Sequence, residues 1–276
     1  KDSTAELIHF IGKDILYFHA LFWPATLNYA NYRTPSKIFT HGFLTVNGEK
    51  MSKSRGTFIT ARSYLDHIKD PNFLRYYYAT KLNSSMEDLD LNLDDFIAKN
   101  NSDLIGKFIN IPSRTSGFVS KFFNFELMPL ASIKSKDALA LLEKIKESKK
   151  IIETYYEARE FSKLVKVIIQ LVENVNEYIS KTEPWKLSKD EVQLKSNSSL
   201  HEICSVCLKS FRMISIFLSP IIPSLSEKIA MFYGEASFNS FALIEGDVLK
   251  IEPYKHLLKR IEQESIDLML SSNKES

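Results

Sequence analysis

The chain has 276 residues, 44% of them hydrophobic and 25% charged, with 8 glycines and a formal net charge of +2. That length and apolar content suit one large or two ordinary folded domains and exclude a disordered or collagen-like chain. A charge this close to balance neither demands nor excludes a nucleic-acid partner, so any phosphate-binding surface has to be local.

Leu7 to Ile11 is a short apolar run that reads as a strand, and Gly12-Lys13 leads into a helical pattern from Asp14 to about Asn28, giving a β-α unit. A second strand-like run, Lys37 to His41, precedes Phe43 to Val46 and then Asn47-Gly48. Both residues of that dipeptide tolerate the positive φ of a type I′ turn, which predicts a hairpin or tight loop. Thr60 can cap the next helix, and Pro71, suited to a first turn, opens another that runs to Leu82. From Asn92 onward the strand signals stop, and Leu93, Phe96, Ile97, Leu104, Ile105, Phe108 and Ile109 recur at helical spacing. Further helices are expected near Asp137 to Arg159, Phe161 to Ser180, His201 to Leu218 and Ser224 to Tyr233, punctuated by Pro220, Pro223 and the polar stretch Ser188 to Ser199. The expected fold class is an α/β unit followed by an all-α helix bundle, mostly helical overall, divided into 1–88 and 89–276 within the stretch from Asn83 to Asn92.

Cys204 and Cys207 are the two cysteines, too few for a disulfide framework. No charged-then-apolar leader precedes a small-residue cleavage site, so a reduced, cytoplasmic setting is the expectation. Their C-x-x-C spacing falls inside an apolar helical pattern with only His201 near in sequence, which fits buried helix cysteines better than zinc or a redox pair. The apolar run around Ile214 to Ile222 is interrupted by Ser and Pro and falls short of the ~20 residues a spanning helix requires. Because the chain opens at Lys1 without a methionine and enters a strand almost at once, it reads as a piece of a longer protein.

The strongest local signal is Lys50-Met51-Ser52-Lys53-Ser54, directly after the Asn47-Gly48 turn and followed by Arg55-Gly56-Thr57. Two ammonium groups on a mobile turn can neutralise the charge that develops on a leaving pyrophosphate while a carboxylate attacks an α-phosphate, and the serines and backbone amides add donors. Five residues alone leave a lysine-rich surface loop as the alternative. On the helix after the first strand, Ile15, His19 and Trp23 stand four apart and line one face; spacing alone assigns such a face to ordinary burial. Asn110 and Arg114 likewise share a face, rotated away from Phe108.

Lys50 to Ser54 resembles the KMSKS loop of class I aminoacyl-tRNA synthetases. The segment Ile8-His9-Phe10-Ile11-Gly12-Lys13-Asp14-Ile15 through Phe22-Trp23-Pro24-Ala25 is similar to the corresponding strand and helix of the methionyl-tRNA synthetase family, a resemblance that extends over nearly the whole chain. It implies that 1–88 is the C-terminal part of a Rossmann-like catalytic domain with its KMSKS loop and that 89–276 is an α-helical anticodon-binding domain. The implied activity is methionine activation by ATP, with Mg2+, to methionyl-adenylate, followed by transfer to the 3′ end of tRNA(Met). By the same resemblance Lys53 is the main phosphate-stabilising residue with Lys50 assisting, Gly12 and Asp14 contact the ATP ribose, Leu44 offers backbone contacts to adenine, and Met51, Ser52 and Ser54 complete the nucleotide site. Ile15, His19 and Trp23 would line the methionine pocket, since polarizable sulfur packs well at aromatic edges. Asn110, Arg114, Pro184 and Trp185 match positions that read the CAU anticodon, and their chemistry is suitable because splayed bases stack on rings and guanidinium planes while Asn and Arg bond their edges. Without the resemblance Trp185 reads equally well as core packing.

Gly106 stands where many family members carry Asn, so one anticodon contact lacks its side chain. Seven basic residues between Lys50 and Lys81, against Asp66 and Asp70, suit phosphate and a tRNA acceptor stem, or for the distal ones a solvated helix surface. The other class I motif, His-x-Gly-His, is not His9 to Gly12, whose next residue is Lys13. In the family that motif, a connective insertion with structural zinc, and further methionine-binding residues lie upstream of a segment like this one. This stretch alone is therefore not expected to adenylate methionine, and a homodimer would require a C-terminal module beyond Ser276. A non-catalytic helical tRNA-binding module with a synthetase-like remnant is the alternative, separated by whether His-x-Gly-His precedes Lys1; Ile15, His19 and Trp23 disfavour another class I synthetase.

Overall fold

The computed structural model describes residues 3–52, 58–189 and 198–274. β1 (Ile8–Gly12) and β2 (Lys37–His41) pair in parallel, Ile8 opposite Lys37 and Gly12 opposite His41. Parallel pairing needs a crossover. It is helical as expected but not uniformly α: a 3-10 turn at Lys13–Ile15, a π segment at Phe18–Phe22 and α1 (Trp23–Tyr29) follow one another. In a π turn four residues fall short of a full circle, whereas in an α turn they overshoot it, so the common face of Ile15, His19 and Trp23 is twisted relative to the expected one.

β3 (Leu44–Val46) and β4 (Glu49–Lys50) form the hairpin anticipated at Asn47-Gly48, whose φ values of 49° and 79° supply the left-handed conformations of its turn. On its other side β3 pairs in parallel with β5 (Leu89–Leu91), a strand the sequence reading did not foresee and placed on the helical side of the 88/89 division. Three residues are too few for a period of two to register. Long-range bonds define it instead: the Gly48 N–H and the Thr45 hydroxyl each donate to Asp90 Oδ1 at 2.7 Å.

α2 (Ala61–His67) is capped by Thr60, whose hydroxyl accepts from the Ser63 N–H at 3.0 Å, and α3 (Pro71–Lys81) by Asp70, which accepts from the Asn72 N–H at 2.9 Å. α4 (Leu93–Lys99) runs into a π-helix over Asn100–Phe108 and on into α5 (Asn110–Phe122). There follow α6 (Lys136–Glu157), α7 (Phe161–Thr182), α8 (Pro184–Leu187), α9 (Ser198–Leu218), α10 (Pro223–Phe232) and α11 (Gln263–Lys274). α9 is the centre of the bundle, buried throughout from Ile203 to Leu218 and packed on α5, α6 and α7. Phe211 meets Phe108 with ring centroids 4.7 Å apart.

A single apolar core runs from Val46 through the bundle to Met269. α3 is tied to the bundle by Arg75, which donates to Ile221 O at 2.8 Å and Pro220 O at 2.9 Å. α11 returns to α2, where Asn273 Oδ1 accepts from the Ser63 hydroxyl at 2.9 Å. The parallel pair is different. Parallel strands are ordinarily covered on both faces, yet Phe10 is 68% exposed, and Tyr17, Phe18, Leu21 and Phe22 of the crossover face outward with it. Among the described residues no helix is long and apolar enough to cross a membrane.

Candidate functional site

β1 and β2 end side by side at Gly12 and His41, at the carboxyl edge where open α/β sheets take ligands. Asp14 folds back over the first of these ends, so closely that a Cβ on Gly12 would meet its Oδ1 at 2.7 Å. Lys13 pairs with Asp88 at 2.6 Å and lies 4.9 Å above the Phe43 ring, while Asp88 also accepts from the Phe43 N–H at 2.7 Å. The Lys13 hydrogen bond chiefly, then the Phe43 amide, with the Lys50 charge adding, hold the Asp88 carboxyl below the usual carboxylate range. Lys50, at the end of the hairpin, is thus within electrostatic reach of Asp88, the carboxylate that Lys13 holds beside the end of β1. Met51 packs against the core, and Leu44 heads β3 opposite Leu89. Lys53 and Ser54 lie outside the described residues; Ser52 is the last residue described before them.

Asp88 and Asp90 are residues that sequence reasoning missed. Gly42 shows why they matter, because a Cβ there would meet Glu87 O at 2.1 Å, so the end of β2 and the approach to β5 touch backbone to backbone. The available signal was the Asp-Leu-Asp-Leu alternation over 88–91. His9 was also left without a role. Its ring meets His19 edge-on at 5.5 Å, and Nδ1 of each is buried without a hydrogen-bond partner. Ile15 and Trp23 stand four residues to either side of His19, 38% and 43% exposed.

The basic excess is narrower than the sequence count implies. Arg62 pairs with Asp66 at 3.0 Å, Lys81 with Asp95 at 2.6 Å, and Arg75 is committed to backbone carbonyls. An ion pair offsets the positive charge that phosphate would sense, and the guanidinium donors that Arg75 spends on carbonyls are not offered to phosphate.

At the other end, α7 stops at Thr182 because Glu183 takes a left-handed conformation, φ 45°, and Pro184 starts a fresh turn. That reversal carries Trp185 back over α5, where the Arg114 guanidinium stands 5.0 Å above its ring. Pro184 is buried and Trp185 partly exposed. Asn110, one turn before Arg114, donates through Nδ2 to Asn176 Oδ1 at 3.4 Å. Gly106 is exposed in the π-helix, with Asn101 O 3.2 Å from where its Cβ would be.

The model for class I tRNA synthetases (M) matches residues 1–116, and that for the anticodon-binding domain of tRNA ligase matches residues 139–272. The methionine–tRNA ligase of Cupriavidus metallidurans is 47% identical across 99% of this chain, and that of Nitrosomonas europaea 49% identical across all of it. The chain belongs to the methionyl-tRNA synthetase family. It spans 39% and 40% of the length of those two synthetases. The structure of Mycobacterium tuberculosis methionyl-tRNA synthetase in complex with methionyl-adenylate matches with a TM-score of 0.80 at 25% identity, over 91% of this chain and 49% of that one. The fold class follows: part of a class I synthetase catalytic fold with a small sheet, joined to a helical anticodon-binding domain. Within this synthetase fold Cys204 and Cys207 sit in buried α9, where burial pushes the Cys204 thiol up to about 12 and that of Cys207 well above its ordinary value, while His201 stacks on Phe123 at 4.2 Å.

Proposed function

We propose that the parent protein is a cytoplasmic methionine–tRNA ligase, to which this stretch contributes the KMSKS loop, part of the methionine and ATP pocket, and anticodon recognition. The observation that carries this reading is the meeting of the Lys50 hairpin with the end of β1 through Lys13, Asp88 and Phe43. A carboxylate oxygen of methionine attacks the α-phosphorus of ATP, the bond to the pyrophosphate oxygen breaks, and negative charge grows on the departing group. Lys53, assisted by Lys50, neutralises that charge, which matters most in the transition state. Met51, Ser52 and Ser54 line the nucleotide beside them, Gly12 and Asp14 hold the ribose, and the Leu44 backbone meets adenine. Ile15, His19 and Trp23 wall the methionine side chain.

Mg2+ enters this reading on the ATP phosphates, its usual ligands together with water; the described residues hold no cluster of three or more His, Cys, Asp or Glu suited to a resident ion. By the family resemblance, structural zinc and the His-x-Gly-His motif are expected in sequence upstream of a segment like this one, and adenylation is proposed for the parent protein. Asn110, Arg114, Pro184 and Trp185 read the anticodon, supported by the placement of the Arg114 guanidinium over the Trp185 ring. A homodimer would form through a C-terminal module.

In the full-length enzyme Lys53→Ala should slow methionine-dependent ATP–pyrophosphate exchange by about 10²–10³-fold, with methionine affinity little changed. Near-normal exchange would overturn the assignment of Lys53.

A further inference from the structure

Asn176 lies on α7, and its Nδ2 donates to two backbone carbonyls at 3.0 Å each, Val172 one turn back on its own helix and Lys107 on the π-helix. A side-chain amide nitrogen carries two N–H groups. Both are used here, so the amide has one satisfactory orientation, with Oδ1 as the acceptor at its other end. That oxygen faces Asn110, whose Nδ2 donates to it. One N–H of Asn110 is thereby turned inward, and its Oδ1 and second N–H are left to meet a partner in a defined sense. The carbonyl that Asn176 grips is itself on an anchored turn, because Lys107 Nζ bonds Glu173 at 2.8 Å and lies 3.4 Å from Asp103.

An asparagine amide whose donor and acceptor ends are exchanged matches a different base edge. We infer that Asn176 is a positioning residue for base recognition: it sets which end of the Asn110 amide faces the anticodon. The inference rests on the reading of Asn110 as a base contact. The absence of a side chain at Gly106 in the preceding turn concentrates discrimination on Asn110, so that loss of its orientation has a larger effect.

The test uses the full-length enzyme and measures aminoacylation kcat/KM with tRNA(Met) bearing CAU and with transcripts carrying single anticodon substitutions. Asn176→Ala should lower kcat/KM for CAU by about tenfold and narrow the ratio between CAU and the substituted transcripts. Methionine-dependent pyrophosphate exchange should hold at the wild-type rate, and the double variant with Asn110→Ala should be no worse than Asn110→Ala alone. Asn176→Ser keeps a donor for Val172 O while its shorter side chain withdraws the acceptor from the reach of Asn110, and should narrow the same ratio if the alanine variant does not fold. An unchanged ratio in both variants, or a double-variant loss equal to the product of the single losses, overturns the inference. If Asn110→Ala itself aminoacylates normally, the base-contact reading of Asn110 has failed instead.

Discussion

Gly42 illustrates how one residue holds the sheet-edge end together. Its missing side chain lets the end of β2 lie against Glu87, so Gly42→Ala should cost about 2 kcal/mol or more of stability, read from urea denaturation; an unchanged midpoint would contradict the contact. Asp88, next along, has its carboxyl lowered by Lys13 and the Phe43 amide. A lowered carboxylate stabilises the fold above its unfolded pKa of about 3.9 and loses that effect as pH falls through the lower folded value. An NMR titration of Asp88 should therefore give a midpoint below that of an ordinary aspartate, and Lys13→Ala should raise it. A midpoint at the ordinary value in the unmodified protein would remove Lys13 from the arrangement. At this scale the place of Lys50 after the Asn47-Gly48 turn and the shared helix face of Asn110 and Arg114 could be read from local spacing, while their proposed roles, and that of Trp185, came from the family resemblance. Asp88, Asp90 and His9 were not, since each acts on a partner brought near only by the fold.

Among the elements, those with a local cause could be read in advance. Thr60 caps α2, Pro71 opens α3 and Asn47-Gly48 turns the hairpin, as their chemistry requires. The two π segments could not be read, because their apolar spacing is close to that of an α-helix, and β5 exists only through its pairing with β3. α11 also escaped notice, its end being polar; Ile266 and Met269 bury against the core once α2 is in place. The join between α3 and the π-helix offers a test. Tyr76 is fully buried and donates to Asp103 at 3.0 Å, and burial first, then the Asp103 charge, push its phenol well above the ordinary range. Tyr76→Phe leaves a buried carboxylate short of a donor, at a cost of about 1–3 kcal/mol. The denaturation midpoint should fall with an unchanged slope; no shift would mean that Lys99 and Lys107 satisfy Asp103 by themselves.

For the molecule as a whole, the core is continuous while the two proposed binding ends are built separately, one at the sheet edge and one where α5, α7 and α8 meet. Arg75, counted by sequence in a basic stretch suited to phosphate or to a solvated helix surface, instead ties α3 to the turn between α9 and α10. The central claim is that Trp185 belongs to tRNA recognition and not to the chemistry of adenylation, and Trp185→Ala in the full-length enzyme tests it most directly. Loss of a stacked base is worth about 1–3 kcal/mol, so tRNA aminoacylation should fall by roughly 5–150-fold while methionine-dependent pyrophosphate exchange stays within about twofold of wild type. An equal fall in both reactions would contradict the account and return Trp185 to the core.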